Sequence, residues 1–107
     1  MNILFICSRN QWRSPTAANV WQGRAGLSTR SAGTSQKAKR KVSAGDIRWA
    51  DVIMVMELKH KNRLITDFAP LLKQKPLHIL EIPDNYKCMD PKLVEHFEIA
   101  VPALLGL

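Results

Sequence analysis

Apolar and polar positions fall along this chain in blocks of two kinds. Ile3-Leu4-Phe5-Ile6 is continuously apolar, the pattern of a strand buried on both faces. The stretch 51–56 reads as a further strand, again with an apolar core, 77–82 as the fourth, and Leu27-Ser28-Thr29-Arg30-Ser31-Ala32 as a short second strand. Helical spacing fills the gaps. Ala17, Val20, Trp21 and Ala25 predict a helix over about 15–24 with Trp21 in the core. Ser43, with Asp46 three residues on, fits a capping box and starts a short helix carrying Ile47 and Trp49. Leu58, Ile65 and Phe68 set one face of a helix over 57–68, with Lys59, Lys61 and Arg63 mostly outward. A connector follows over 69–75. Asp90-Pro91 opens a last helix whose Leu93, Phe97, Ala100, Val101 and Leu104 share a face, and which Pro102 ends or kinks.

Strands alternating with helices predict a three-layer α/β/α sandwich around a four-stranded parallel sheet, one small domain spanning 1–107. Right-handed crossovers, and a site after the first strand, favour the strand order 2-1-3-4.

The stretch leaving the first strand carries chemistry. Cys7 stands at the strand's end, Ser8-Arg9-Asn10-Gln11-Trp12-Arg13-Ser14 follows, and Ser14-Pro15 has the form of a helix start, a capping hydroxyl before proline. A loop closing from strand to helix turns its backbone N–H groups inward and receives the helix dipole, which suits an oxyanion. A cysteine there is set up as a thiolate nucleophile, and Arg13 can grip two phosphate oxygens with its planar fork. The bland readings are a buried cysteine packing as a small hydrophobe and a surface arginine. The spacing favours the chemical ones, and phosphoryl transfer through cysteine is the first reading.

At these residues the chain resembles the low-molecular-weight protein tyrosine phosphatases. Cys7-x5-Arg13-Ser14 matches their C-x5-R-S/T phosphate loop at the N-terminus, with Asn10 inside it. Ser31-Ala32-Gly33-Thr34 is similar to their second-strand motif, and Ala50-Asp51-Val52-Ile53-Met54-Val55-Met56-Glu57 to their third strand. Glu81-Ile82-Pro83-Asp84-Asn85-Tyr86 is similar to the segment carrying their general-acid aspartate. The resemblance implies Cys7 as nucleophile, Arg13 and the loop 8–14 as the phosphate cradle, Asn10 as a brace of the loop, and Asp84 as acid. It implies no metal and no cofactor. Residues 35–50 alone separate Thr34 from the third strand, so this is a short, compact variant with a trimmed helical excursion.

A leaving oxygen needs a proton, and two aspartates compete to give it. Asp84 follows a buried strand and so belongs on the same rim as Cys7. Asp90 precedes Pro91 and a helix, where an N-cap is its simplest task, but it preserves the Asp-Pro pair expected of the acid. Aromatics that the family places after the acid are reduced to Tyr86, so Tyr86 and Trp12 are the expected rim of the substrate slot. Trp12 also occupies the position where many members carry a second cysteine. Arg9 and Lys87 make the entrance basic.

Composition adds partners and compartment. The net charge of +7, from 16 Lys and Arg against 9 Asp and Glu, favours anionic partners, whether a phosphorylated substrate or a nucleic acid. The segment 36–41, dense in Lys37, Lys39, Arg40 and Lys41, reads as a solubilising loop. Two cysteines are too few for a disulfide framework, no apolar run is long enough to span a membrane, and the first strand leaves no room for a signal peptide. These point to the cytoplasm. His60, His78 and His96 lack zinc spacing. The expected function is therefore a cysteine-dependent phosphomonoester hydrolase acting on a phosphotyrosine protein or a small phosphomonoester. Its rivals are a nucleotide or RNA-end phosphatase, an arsenate-reductase-like enzyme, for which Cys88 is the one further thiol, and a phosphate- or nucleic-acid-binding module without turnover.

Overall fold

A computed structural model describes residues 1–107. Four parallel strands, β1 (Asn2–Cys7), β2 (Ser28–Gly33), β3 (Val52–Val55) and β4 (Leu77–Ile79), form a sheet in the order β2-β1-β3-β4. Ile3 pairs with Val52 on one side, and Cys7 with Gly33 on the other. Helices α1 (Arg13–Trp21), α2 (Ala44–Trp49), α3 (Leu58–Leu72) and α4 (Pro91–Leu105) cover both faces. The predicted architecture and strand order hold.

The period-two geometry of a strand divides the core in two. Ile3, Phe5 and Cys7 with Val52 and Met54 pack on one face under α1 and α4, where they meet Ala17, Trp21, Leu93, Phe97 and Val101. Trp21 is in this core as expected, and its Nε1 donates to Phe97 O at 3.1 Å. Leu4, Ile6, Ile53 and Val55 pack on the other face with Ile47 of α2 and Leu64 of α3. This is why the central strands are apolar at every position rather than at alternate ones.

Several expectations are corrected. α1 starts at Arg13 rather than Pro15, with Trp12 as its cap and no side-chain cap bond, so Ser14 does not cap the helix. It ends at Trp21; Gly23 turns left-handed (φ 77), and Ala25 is exposed beyond it. α3 does not stop at Phe68. The backbone departs from helical geometry there (φ −138), then resumes, because Pro70 falls in the first turn of the resumed segment, where its missing N–H is no loss. The buried residues of α3 are His60 and Leu64, whereas Leu58 and Ile65 are exposed. α4 runs through Pro102 to Leu105, and Gly106 in the left-handed region ends it. Leu105, not Leu104, packs against the core. β4 is shorter than 77–82, since Glu81 takes φ 56, although Ile82 N still donates to Met56 O. The capping box at Ser43 and Asp46 is present. Arg40 does more than solvate its loop: it pairs with buried Asp46. No helix is long and apolar enough to cross a membrane.

Candidate active site

β1 ends at Cys7 and α1 begins at Arg13, so residues 8–12 must turn the chain at the C-terminal edge of the sheet. The segment after β2 fixes that turn from outside. Thr34 N donates to Cys7 O at 3.0 Å, Ser35 N to Ser8 O at 2.8 Å, and Lys39 N to Arg9 O at 3.0 Å. With these carbonyls tied outward, the amides of residues 8–12 donate to no acceptor within the protein. Gly33 makes the approach possible. A Cβ there would lie 2.6 Å from Ser8 O and 2.9 Å from Asn10 N.

Inside the loop, Asn10 adopts a left-handed backbone (φ 53), which asparagine tolerates, and its Nδ2 donates to Ser14 Oγ at 3.0 Å. Ser14 Oγ lies 3.0 Å from Cys7 Sγ and 3.3 Å from Ala32 O. Its one proton has two acceptors in reach, Cys7 Sγ and Ala32 O. A hydrogen bond between Ser14 and the sulfur is geometrically available, whereas the helix cap expected of Ser14 is not made.

Arg13 is 2% exposed. Its Nη1 donates to Glu57 Oε2 at 2.5 Å and to Ile82 O at 2.8 Å, and its Nε stands 3.6 Å from Asp84 Oδ1. The hydrogen bond from Arg13 holds the Glu57 carboxyl below the usual carboxylate range, against the opposing effect of burial. Glu57 thus stays ionised and orients the guanidinium from behind.

Cys7, Ser8, Arg9, Gln11, Trp12, Arg13 and Asp84 together line a cavity of about 160 Å³. Asn10 and Ser14 lie buried beneath it. Asp84 is 56% exposed, at the mouth. Asp90 is elsewhere engaged: its Oδ1 accepts from Lys92 N at 2.8 Å, capping α4. Tyr86, expected on the rim, is not part of the cavity wall. Its ring packs against the core, and its hydroxyl lies 3.1 Å from His96 Nε2.

Two contributors escape the sequence reading. Glu57 follows β3 as Asp84 follows β4, so the rule that placed Asp84 on the rim also applied to it. His60, 1% exposed, accepts from Glu57 N through Nδ1 at 3.0 Å and reaches Ser8 Oγ through Nε2 at 2.8 Å. Burial, reinforced by the charge of Arg13, pushes it down to about 4, so it is neutral near pH 7. No spacing in the sequence marks it.

Chemically, the arrangement offers a buried sulfur, a guanidinium, loop amides with no acceptor in the protein and a carboxyl group at the mouth. No family model and no curated protein sequence matches the chain. Solved structures do. The tyrosine phosphatase Wzb from Escherichia coli K30 in complex with phosphate is 20% identical, with a TM-score of 0.75, over 98% of this chain and 96% of that one. The YwlE arginine phosphatase from Geobacillus stearothermophilus is 18% identical, with a TM-score of 0.72, over 98% and 93%. A low-molecular-weight phosphotyrosine phosphatase from Vibrio cholerae O395 is 20% identical, with a TM-score of 0.72, over 99% and 95%. At these identities the likeness is one of fold.

Proposed function

We propose that this chain is a cysteine-dependent phosphomonoester hydrolase of the tyrosine-phosphatase-like kind, working through a phosphocysteine intermediate without a metal or cofactor. The observation that carries the reading is Cys7 Sγ in one small cavity with the buried Arg13 guanidinium, beside a hydroxyl 3.0 Å away. The fold likeness to phosphatases supports it.

In this mechanism the phosphate monoester enters with its non-bridging oxygens on the loop amides of 8–14 and on Arg13. The Cys7 thiolate attacks phosphorus in line with the ester oxygen. The P–O bond breaks as the S–P bond forms, and Asp84 gives its proton to the departing oxygen. Asp84, now a carboxylate, takes a proton from water, whose oxygen attacks phosphorus. Inorganic phosphate leaves, and the thiolate and the Asp84 acid are restored. Arg13 Nε, 3.6 Å from Asp84 Oδ1, links the charge on phosphorus to the group that manages the proton. Trp12 supplies the one aromatic wall. Because a thiolate nucleophile must stay reduced, we place the enzyme in the cytosol.

Metal-free hydrolysis of an aryl phosphate, beside phosphotyrosine peptide, phosphoarginine and nucleotide phosphates, tests the reading. Wild type should turn over at least the aryl phosphate, and Cys7→Ser should lose turnover while still binding phosphate. Full activity in Cys7→Ser would remove Cys7 as nucleophile. Phosphate binding with no turnover in wild type would leave a sensing module.

A further inference from the structure

Ser8 lines two depressions at once. Beside the cavity runs a second, more open groove of about 610 Å³, bounded by the segment after β2 and the first turns of α3. Its wall holds no apolar side chain and no carboxylate, but it does hold three cations, Lys37, Lys59 and Arg63, with the hydroxyls of Thr34 and Ser35 among them. Lys37 makes no ion pair, and its amide is fastened by Ser35 Oγ at 3.0 Å. The carboxylate near Lys59 is that of Glu57 at 3.7 Å, which Arg13 already holds at 2.5 Å. Asp67, one turn along α3, steadies Arg63 at 3.0 Å without entering the groove wall.

A solvated basic face would interleave both signs of charge, whereas this wall is of one sign and rich in hydrogen-bond donors. Such a wall matches a group with several anionic oxygens better than a single carboxylate. Ser8 borders both this wall and the phosphate-loop cavity, which puts such a group within reach of the molecule whose phosphoryl group is cleaved. We infer that the groove binds a second phosphate group, so that the preferred substrate is a phosphomonoester bearing a further phosphate. This rests on the phosphomonoesterase reading above. His60 contributes a neutral wall, since its Nε2 is engaged with Ser8.

The test is calorimetric binding of inorganic phosphate, tripolyphosphate and a longer linear polyphosphate to the full chain, with p-nitrophenyl phosphate turnover measured alongside. Wild type is compared with Lys37→Gln/Arg63→Gln and with Lys73→Gln/Lys92→Gln, which removes the same two charges from exposed sites elsewhere. A polyphosphate long enough to bridge should bind about ten-fold more tightly than phosphate in wild type and in the Lys73/Lys92 variant. In Lys37→Gln/Arg63→Gln that advantage should shrink to about two-fold or less, with phosphate affinity and p-nitrophenyl phosphate kinetics unchanged. The inference is overturned by no gain with chain length in wild type, by a gain that survives Lys37→Gln/Arg63→Gln, or by equal losses in both double variants. Absent turnover together with the expected binding pattern would overturn the phosphatase reading instead and leave the groove standing.

Discussion

Ser8 Oγ and His60 Nε2 lie 2.8 Å apart, and the bond between them has a fixed direction. Nδ1 of His60 already accepts the Glu57 amide, so in the neutral ring the proton sits on Nε2 and is donated to Ser8. One buried imidazole therefore ties the first loop residue to the start of α3.

That tie has a pH signature. His60 is held at about 4 in the fold against 6.5 ordinarily. Between those values the unfolded chain takes up a proton that the native chain refuses, so stability falls as pH drops through the window. The loss is about 2 kcal/mol between neutral pH and pH 5. Glu57 and Asp46, held low in the fold, add their losses only as pH falls through the ordinary carboxylate range and below. Urea midpoints for wild type and His60→Gln should diverge in slope above pH 5. Parallel slopes would mean that His60 titrates natively.

Glu57→Gln keeps the shape behind Arg13 and removes the charge. We expect kcat/KM for an aryl phosphate and the affinity for phosphate to fall about ten-fold each. If both survived, the Ile82 carbonyl, 2.8 Å from Arg13 Nη1, would be holding the guanidinium alone.

The two aspartates separate by leaving group. Asp84→Asn should slow phenyl phosphate about a hundred-fold or more, and p-nitrophenyl phosphate, whose leaving oxygen needs little protonation, far less. Asp90→Ala should leave both rates alone and cost about 1 kcal/mol in unfolding, the worth of an N-cap. The reverse pattern would make Asp90 the acid.

Gly33→Ala drives a methyl group into Ser8 O and Asn10 N, both loop backbone. A destabilisation of about 1–3 kcal/mol is expected, with phosphate binding weakened as the loop shifts. An unchanged melting temperature and affinity would show that β2 can withdraw.

The elements most legible in the sequence are those whose pattern follows from burial on both faces. Ile3 to Ile6 and Val52 to Val55 are apolar throughout because helices cover each side of the sheet, and the strand order followed from crossover handedness. Neither proline ends its helix. Pro70 and Pro102 both sit inside helices, because neighbouring residues still bury apolar surface: Leu71 and Leu72 on one cluster, Val101 and Leu105 on the other. At the site, short-range spacing brought together the cavity residues Cys7, Arg13 and Trp12. Glu57 was open to the rule that places Asp84, since it too follows a strand of the sheet, whereas His60 was missed because its contact with Ser8 spans 52 positions of chain, a distance at which no local pattern operates. Tyr86 was misplaced because an aromatic in a loop can face a slot or its own core, and here it packs on the core beside His96.

The loop side chains divide into two sets in a way that matters beyond this chain's own substrate. Asn10, Arg13 and Ser14 point inward and carry the bonds that keep the loop in shape, whereas the side chains of Arg9, Gln11 and Trp12 make no hydrogen bond within the protein and stand in the cavity wall. Their replacement leaves the scaffold's internal bonding intact. Under the proposed reaction, positions 9, 11 and 12 are thus a three-letter field in which a lineage, or a mutant library, changes what the cavity admits without touching the side-chain bonds that hold its loop.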